Sequence, residues 1–205
     1  MLRNICIALI GIVWVLSVGF GISKLYNYEY KSGPVGHVAK QWPSGSIIQP
    51  HKNLFQLVMV VHPQCPCTRA TIGELELIMA KSQGQVEATV LFIKLRGFDQ
   101  QWVKTDLYTA VRRIPGVNAI IDVGGAEARV FGGTTSGQTF LYNAQGQLVF
   151  MGGITASRGH SGDNVGRSTI VALINNQPVS VHSTPFFGCP LMNETRVGIA
   201  QKRIL

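Results

Sequence analysis

The chain reads as an α/β protein in which a mixed central β-sheet carries helices on both faces, preceded by one N-terminal transmembrane helix. Three observations lead there. Residues 4–23 carry no charge and are dominated by Ile, Leu, Val, Trp and Phe, and about 20 such residues suffice to cross a bilayer. From residue 54 onward, short apolar runs rich in β-branched residues alternate with segments of helical spacing, as in parallel strands joined by crossover helices. Further on, two apolar runs flank Asn143-Ala144-Gln145-Gly146, the mark of an antiparallel hairpin. At 205 residues the chain has room for one full-sized core and little for a second.

The N-terminal run is read as an uncleaved anchor over residues 1–30. A cleaved secretory signal, with Ser17 and Gly19 as the small residues before the cut, is the alternative. The anchor is favoured because the run exceeds a usual signal core and because Trp14 and Phe20 suit a retained span. Tyr26, Tyr28 and Tyr30 then form an aromatic belt. Arg3 precedes the span while Lys24 and Lys31 follow it, so the basic residues choose no side. Residues 31–52, with Gly33-Pro34, Pro43-Ser44-Gly45 and Pro50, are expected to be a tether between anchor and domain.

The domain is placed at 53–178, followed by a C-terminal extension at 179–205. Its first strand is the apolar run 54–61, bounded by His62-Pro63-Gln64. A helix follows over 68–79, where Ile72, Leu75, Ile78 and Met79 recur at helical spacing. Residues 86–93 read as a second strand, 101–113 as a helix, 118–122 as a short strand and 125–131 as a short helix ending at Gly132-Gly133. The hairpin pairs 139–142 with 147–151, and a last helix covers 166–175. The net charge of +8 raises the question of a nucleic-acid partner. Its basic residues are scattered singly or in pairs such as Arg112-Arg113, without an aromatic-interleaved stripe, so a solvated basic surface and no nucleic acid are expected.

The chemistry centres on Cys65-Pro66-Cys67, two thiols at the junction of the first strand and the first helix of the domain. A helix N-terminus offers unpaired N–H groups and the positive end of its dipole, which favours the thiolate that attacks disulfides. Cys65 is the attacking candidate and Cys67 the nearest resolving thiol. Cys189, in Phe186-Phe187-Gly188-Cys189-Pro190, is a remote alternative, and Cys6 lies within the apolar span as a bystander. A disulfide between Cys65 and Cys67 would close a ring of about 11 atoms, whose strain makes an oxidising couple. His62 is a nearby proton acceptor and Arg69 a cation favouring a thiolate, though each reads equally well as an ordinary strand-end or solvated helix residue.

The strand before the cysteines, Arg69-Ala70 after them, Phe131-Gly132 ahead of Gln138-Thr139-Phe140-Leu141, and the Asn143 to Gly146 hairpin turn together resemble the thioredoxin fold. The chain is similar in particular to the TlpA/ResA-like membrane-anchored thiol–disulfide oxidoreductases, over residues 50–176 plus the anchor. Cys65-Pro66-Cys67, Gly152-Gly153-Ile154-Thr155 and Arg158-Gly159-His160 look most like the RedB-like proteins. The resemblance implies a thioredoxin-like three-layer fold that exchanges electrons with protein thiols or disulfides and needs no organic cofactor. A short leader with a large domain behind it usually exports that domain, and paired thiols persist as a disulfide couple outside a reducing cytosol, so the domain is expected on the extracytoplasmic side of a membrane, periplasmic if the source is bacterial.

Laid on the family pattern, Cys65 takes the nucleophile position, Thr68 stands where a second cysteine is usual, and Cys67 has no counterpart. Gln138 or Gly137 stands where the family carries a cis-proline facing the cysteines. A non-proline cis bond costs ~2.5–4 kcal/mol, so a trans peptide is expected. Gln138, Thr139, Arg158 and His160, with Asp163, are candidates to line the site. The polar loop 152–164 reads equally as a turn capping the last helix through Asp163 or Asn164. The rival function is Cu(I) binding or delivery by Cys65, Cys67 and His160, which resembles anchored Sco-like proteins. Those proteins separate their cysteines more widely and place histidine before the hairpin, whereas His160 follows it.

Overall fold

The computed structural model describes residues 1–82 and 84–192, so residues 193–205 of the predicted extension lie outside the described residues. The chain forms two units, Met1–Lys31 and Ser32–Leu205. The first is one helix, α1 (Leu2–Tyr30), of 29 residues and so about 43 Å long, enough to cross a ~30 Å hydrocarbon core. Its side chains are apolar on every side rather than along one stripe, which suits lipid and not a protein core. A signal sequence near an N-terminus has the same length and composition.

The second unit comprises β1 (Phe55–Val61), α2 (Cys67–Lys81), β2 (Val86–Lys94), α3 (Asp106–Val111), β3 (Val117–Val123), α4 (Ala126–Phe131), β4 (Gln138–Tyr142), β5 (Leu148–Gly152) and α5 (Val165–Ile174). The sheet order is β3-β2-β1-β4-β5. β1 pairs parallel with β2, and β2 with β3, through the crossover helices. β4 pairs antiparallel with β1 and with β5 through the predicted hairpin. This is the mixed sheet expected from the order of elements.

Side chains alternate across a strand, and β1 shows what that does. Leu57, Met59 and Val61 enter one core with Ile72, Leu75 and Ile78 of α2, Leu107 and Val111 of α3, and Ile170 and Ile174 of α5. Val58 and Val60 enter the other, with Leu91, Ile93, Phe140, Tyr142 and the α4 residues Ala128 and Phe131. A strand buried on both faces needs cover on both, and α4, at six residues, is too short to cover its face alone.

The remainder of that cover corrects the expected tether. Val38, Trp42 and Ile48 pack into the second core, with the Trp42 ring edge-on to Phe131 and to Tyr142, each at 5.2 Å between centroids. The Tyr142 hydroxyl donates to the Ala39 carbonyl at 2.8 Å. Backbone bonds from Leu148 to Lys40 (2.9 Å) and from Trp42 to Gly146 (2.7 Å) fix the segment against β5 and its turn. A second difference lies before β3, where the helix predicted over 101–113 is confined to α3. Asp99 closes a separate turn by accepting from the Trp102 N–H at 2.9 Å. Thr105 is extended (φ −77°, ψ 177°) and donates its hydroxyl to the Pro63 carbonyl at 3.2 Å, bending the chain around the cysteine loop.

Because Trp42 bridges two rings of the second core, Trp42→Ala is expected to cost about 3 kcal/mol of stability, read by urea denaturation of the full chain in detergent. A free tether residue would change it by less than about 0.5 kcal/mol.

Candidate thiol site

β1 delivers the chain to His62, and a turn follows in which the Cys65 N–H donates to the His62 carbonyl at 3.1 Å. Pro66 caps α2 (φ −61°), a place where its missing N–H leaves no helical bond unmade. Cys65 therefore stands just ahead of the helix start. Thr68, which the resemblance sets where a second cysteine is usual, is buried and shares a 2.9 Å hydrogen bond with Ser136 Oγ. That same oxygen accepts from the His62 N–H at 2.9 Å, and the Gly137 N–H donates to the Val60 carbonyl at 2.8 Å. The loop before β4 is thus tied to the cysteine loop. Gly137 sits at φ +89°, a region that favours glycine, and no cis peptide bond occurs among the described residues.

Onto this loop folds the chain's own C-terminal segment. The Ser136 N–H donates to the Cys189 carbonyl and the Leu191 N–H to the Thr134 carbonyl, each at 2.9 Å, and Thr135 faces Pro190 in an antiparallel bridge. Gly188 permits the approach, since a Cβ there would collide with the Ser136 carbonyl oxygen. The pairing carries Cys189 Sγ to 3.1 Å from Cys65 Sγ. The thiol that looked remote in sequence is thus held against the nucleophile, which Cys67 also hydrogen-bonds, and Cys65 is left only 1% exposed.

The hydrogen bond from the Cys189 thiol, aided by the Cys189 and Cys67 N–H groups, holds the Cys65 pKa down to about 4 against the opposing effect of burial. Cys189 is correspondingly raised, because its proton serves Cys65, and burial adds to the effect. Cys67 is raised by burial and then by the Cys65 charge, with Arg158 acting in the opposite direction. His62 is lowered by burial, against the pull of Cys65, and its Nδ1 accepts from the Gln64 N–H at 3.2 Å.

Among the predicted residues, the structure gathers Cys65, Cys67, Cys189, His62 and Arg158. Arg69 points to solvent and pairs with Asp106. Gln138 is buried and spent within the loop, its Oε1 accepting from the Thr134 N–H at 3.0 Å, and the Thr139 hydroxyl donates to the Gly137 carbonyl at 3.3 Å. His160 is exposed, with Nδ1 2.8 Å from Ser157 Oγ and 3.0 Å from the Arg158 carbonyl. Among the described residues no group of three or more His, Cys, Asp or Glu side chains is placed to hold a metal ion, so Cys65, Cys67 and His160 are not assembled as a ligand set.

The loop 152–164 does lie beside the cysteines: a Cβ on Gly159 would come to 3.8 Å from Cys67 Cα. Asn164 caps α5 by accepting from the Arg167 N–H at 2.8 Å, while Asp163 pairs with Arg167 Nη2 at 2.6 Å. Sequence reasoning missed the anchor beneath. Glu74 of α2, its side chain 1% exposed, accepts from the Gly162 N–H at 2.7 Å and from Asn164 Nδ2 at 3.2 Å and pairs with Arg167. Its signal was a carboxylate one residue from Leu75 on the apolar side of the helix.

Alkylation of Cys65 tracks its thiolate, so its rate in the reduced full chain is expected to stay level from neutral pH downward and fall as the pH drops through about 4. Removing the main donor raises that pKa, so Cys189→Ala moves the midpoint upward, whereas Cys189→Ser, which keeps a hydroxyl donor, moves it less; the pH profile of iodoacetamide labelling decides. Glu74→Ala, which takes from buried Arg167 its buried partner and leaves it only the exposed Asp163, is expected to cost about 3 kcal/mol in urea denaturation.

No family model matches the chain, and no curated protein sequence matches it. Solved structures do. A hypothetical protein of Sinorhizobium meliloti superposes with a TM-score of 0.60 at 15% identity, over 77% of this chain and 96% of that one. An uncharacterized conserved protein of Geobacillus kaustophilus gives 0.57 at 15% identity, over 81% and 95%. A thioredoxin-like protein solved in its oxidised form gives 0.46 at 12% identity, over 73% and 99%. With strands ordered β3-β2-β1-β4-β5, parallel on one side of β1 and antiparallel on the other, helices on both faces and a cysteine at the head of the first crossover helix, the domain has a thioredoxin-like fold.

Proposed function

We propose that the protein is a membrane-anchored thiol–disulfide oxidoreductase acting on protein thiols or disulfides, with Cys65 as nucleophile. One observation carries the reading: a thiolate-favouring cysteine at a helix start has a second thiol 3.1 Å away. In the reducing direction, the Cys65 thiolate attacks one sulfur of a substrate disulfide, forming a mixed disulfide and releasing the other sulfur as a thiolate. A second thiol of the protein, deprotonated by that leaving thiolate, attacks Cys65 Sγ and frees the substrate. The substrate gains two electrons and the protein keeps a disulfide; oxidation of a dithiol runs the same steps backwards. No organic cofactor enters this balance.

Cys189, whose sulfur is 3.1 Å from that of Cys65, is read as the leading resolving thiol. Cys67, which also hydrogen-bonds Cys65 and has Arg158 beside it, keeps the Cys65 and Cys67 pair as the alternative couple. The anchor is α1, and the domain is assigned to the extracytoplasmic side, where such a couple is out of reach of the thiol pools of the cytosol. The copper reading would need His160 as a third ligand through Nε2, because its Nδ1 is engaged by Ser157.

The test is exchange with an aromatic disulfide, followed by release of its coloured thiolate, using the reduced full chain in detergent. Cys65→Ser is expected to lower the rate about a thousandfold or to background, and Cys6→Ser to leave it unchanged. Undiminished exchange in Cys65→Ser sinks the reading, and tight equimolar Cu(I) binding that needs His160 replaces it with the rival.

A further inference from the structure

The segment that supplies Cys189 also closes the site. Its hold on the protein is of two kinds. Phe186, Phe187 and Leu191 are buried side chains, and the Gly33 N–H donates to the Phe186 carbonyl at 2.9 Å. Between these anchors, Gly188, Cys189 and Pro190 are held by backbone pairing, lying antiparallel along Thr134, Thr135 and Ser136, and by the contact of Cys189 Sγ with Cys65. Backbone pairing of that sort is blind to sequence beyond the requirement for a small residue at position 188, and any extended polypeptide with a small residue before its cysteine could make the same bonds. The sulfur that such a polypeptide would offer to Cys65 is the sulfur that Cys189 now offers.

We propose that residues 186–192 form a resolving arm that sits in the seat of the substrate polypeptide, so that an incoming chain must displace it from the edge at residues 134–136 before Cys65 can react, and the arm's return ends the reaction. This rests on the reading of Cys65 as the exchanging nucleophile and adds the substrate class: an extended cysteine-containing segment with a small residue preceding the cysteine. With the arm out, the Cys65 thiolate attacks the substrate cysteine's sulfur in its disulfide, the leaving partner departs as a thiolate, and a Cys65–substrate disulfide remains. When residues 188–190 swing back, Cys189, having passed its proton to that departed thiolate or to water, attacks Cys65 Sγ. The substrate cysteine leaves reduced, and a Cys65–Cys189 disulfide holds the two electrons' worth of oxidation.

The arm explains an otherwise contradictory pair of facts. A nucleophile for protein disulfides is 1% exposed, yet the group covering it lies in a three-residue stretch whose peptide groups, the Leu191 N–H included, can move while the side chains of Phe186 and Leu191 stay buried. Local openings of this kind precede reaction at covered sites.

The probe is a synthetic peptide with the sequence of residues 184–192, its cysteine carried as a mixed disulfide with thionitrobenzoate, added to the reduced full chain in detergent. Gly188→Val forces the stretch off Ser136 without altering a thiol, and is expected to speed release of thionitrobenzoate at least about tenfold over the natural chain. Cys189→Ser is expected to stop at a stable Cys65–peptide adduct, visible by mass, in which the Ser136 N–H stays protected from hydrogen exchange while the Leu191 N–H loses protection. Should Gly188→Val unfold, those two amides in the Cys189→Ser adduct still decide the matter. Equal rates in natural chain and Gly188→Val, unchanged protection of Leu191 in the adduct, or peptide release that depends on Cys67 and not Cys189, each overturns the arm. A chain in which no variant reacts through Cys65 overturns instead the oxidoreductase reading beneath it.

Discussion

A thiolate in a site nearly closed to water survives only if donors replace the water it has lost, and the arrangement around Cys65 supplies them. The Cys189 thiol is the leading donor, and the N–H groups of Cys67 and Cys189 assist. Each donor comes from a different part of the architecture. The Cys67 amide belongs to the first turn of α2, which is aimed by β1, and both Cys189 donors are placed by backbone pairing with the loop that leads into β4. The charge at Cys65 is therefore a property of how two distant stretches of chain are clamped together.

The seat on which the Cys189 segment folds is held by supports that are polar and buried. Ser136 receives the His62 N–H and meets the Thr68 hydroxyl, so the residue in the usual second-cysteine position works as a brace and not as a redox group. Glu74 and Arg167 fix the loop bearing Arg158 in the same fashion. A buried ion pair of this kind contributes little net stability when intact and costs much when halved; what it fixes here is the place of a cation beside Cys67. The second face of the sheet depends on the strip around Val38, Trp42 and Ile48, which completes a layer that α4 begins.

Local signals carried much of this. The run of β1, the helical spacing of Ile72, Leu75 and Ile78, and the glycine-bearing hairpin turn are properties of neighbouring residues, and they predicted the sheet and its crossover order. Cys65 was legible for the same reason, since its surroundings are a strand end and a helix start. Non-local facts were not. Residues 31–52 are dense in Gly, Pro and Ser, the composition of a linker, and only the absence of a longer fourth helix makes Trp42 and Ile48 necessary as cover. Nothing near Cys189 says that it meets a residue 124 positions earlier. The hint was the pair Phe186 and Phe187, two aromatic side chains that need burial and so bring their neighbours to the domain. Glu74 was hidden because a carboxylate on an apolar helix face is weighed against its own helix, whereas its partners lie on α5 and the loop before it.

The separation of Cys65 and Cys189 has a consequence of its own. A bond across one intervening residue would remove almost no freedom from the unfolded chain, whereas one between these two sulfurs would close a loop of 124 residues. Loop-closure entropy of that size is worth about 5 kcal/mol in the chain-entropy description, and the loop encloses every strand after β1. Electron transfer at this site and the conformational freedom of the whole domain are thereby tied in one thermodynamic cycle: handing on the disulfide loosens the unfolded ensemble of the protein that gives it up.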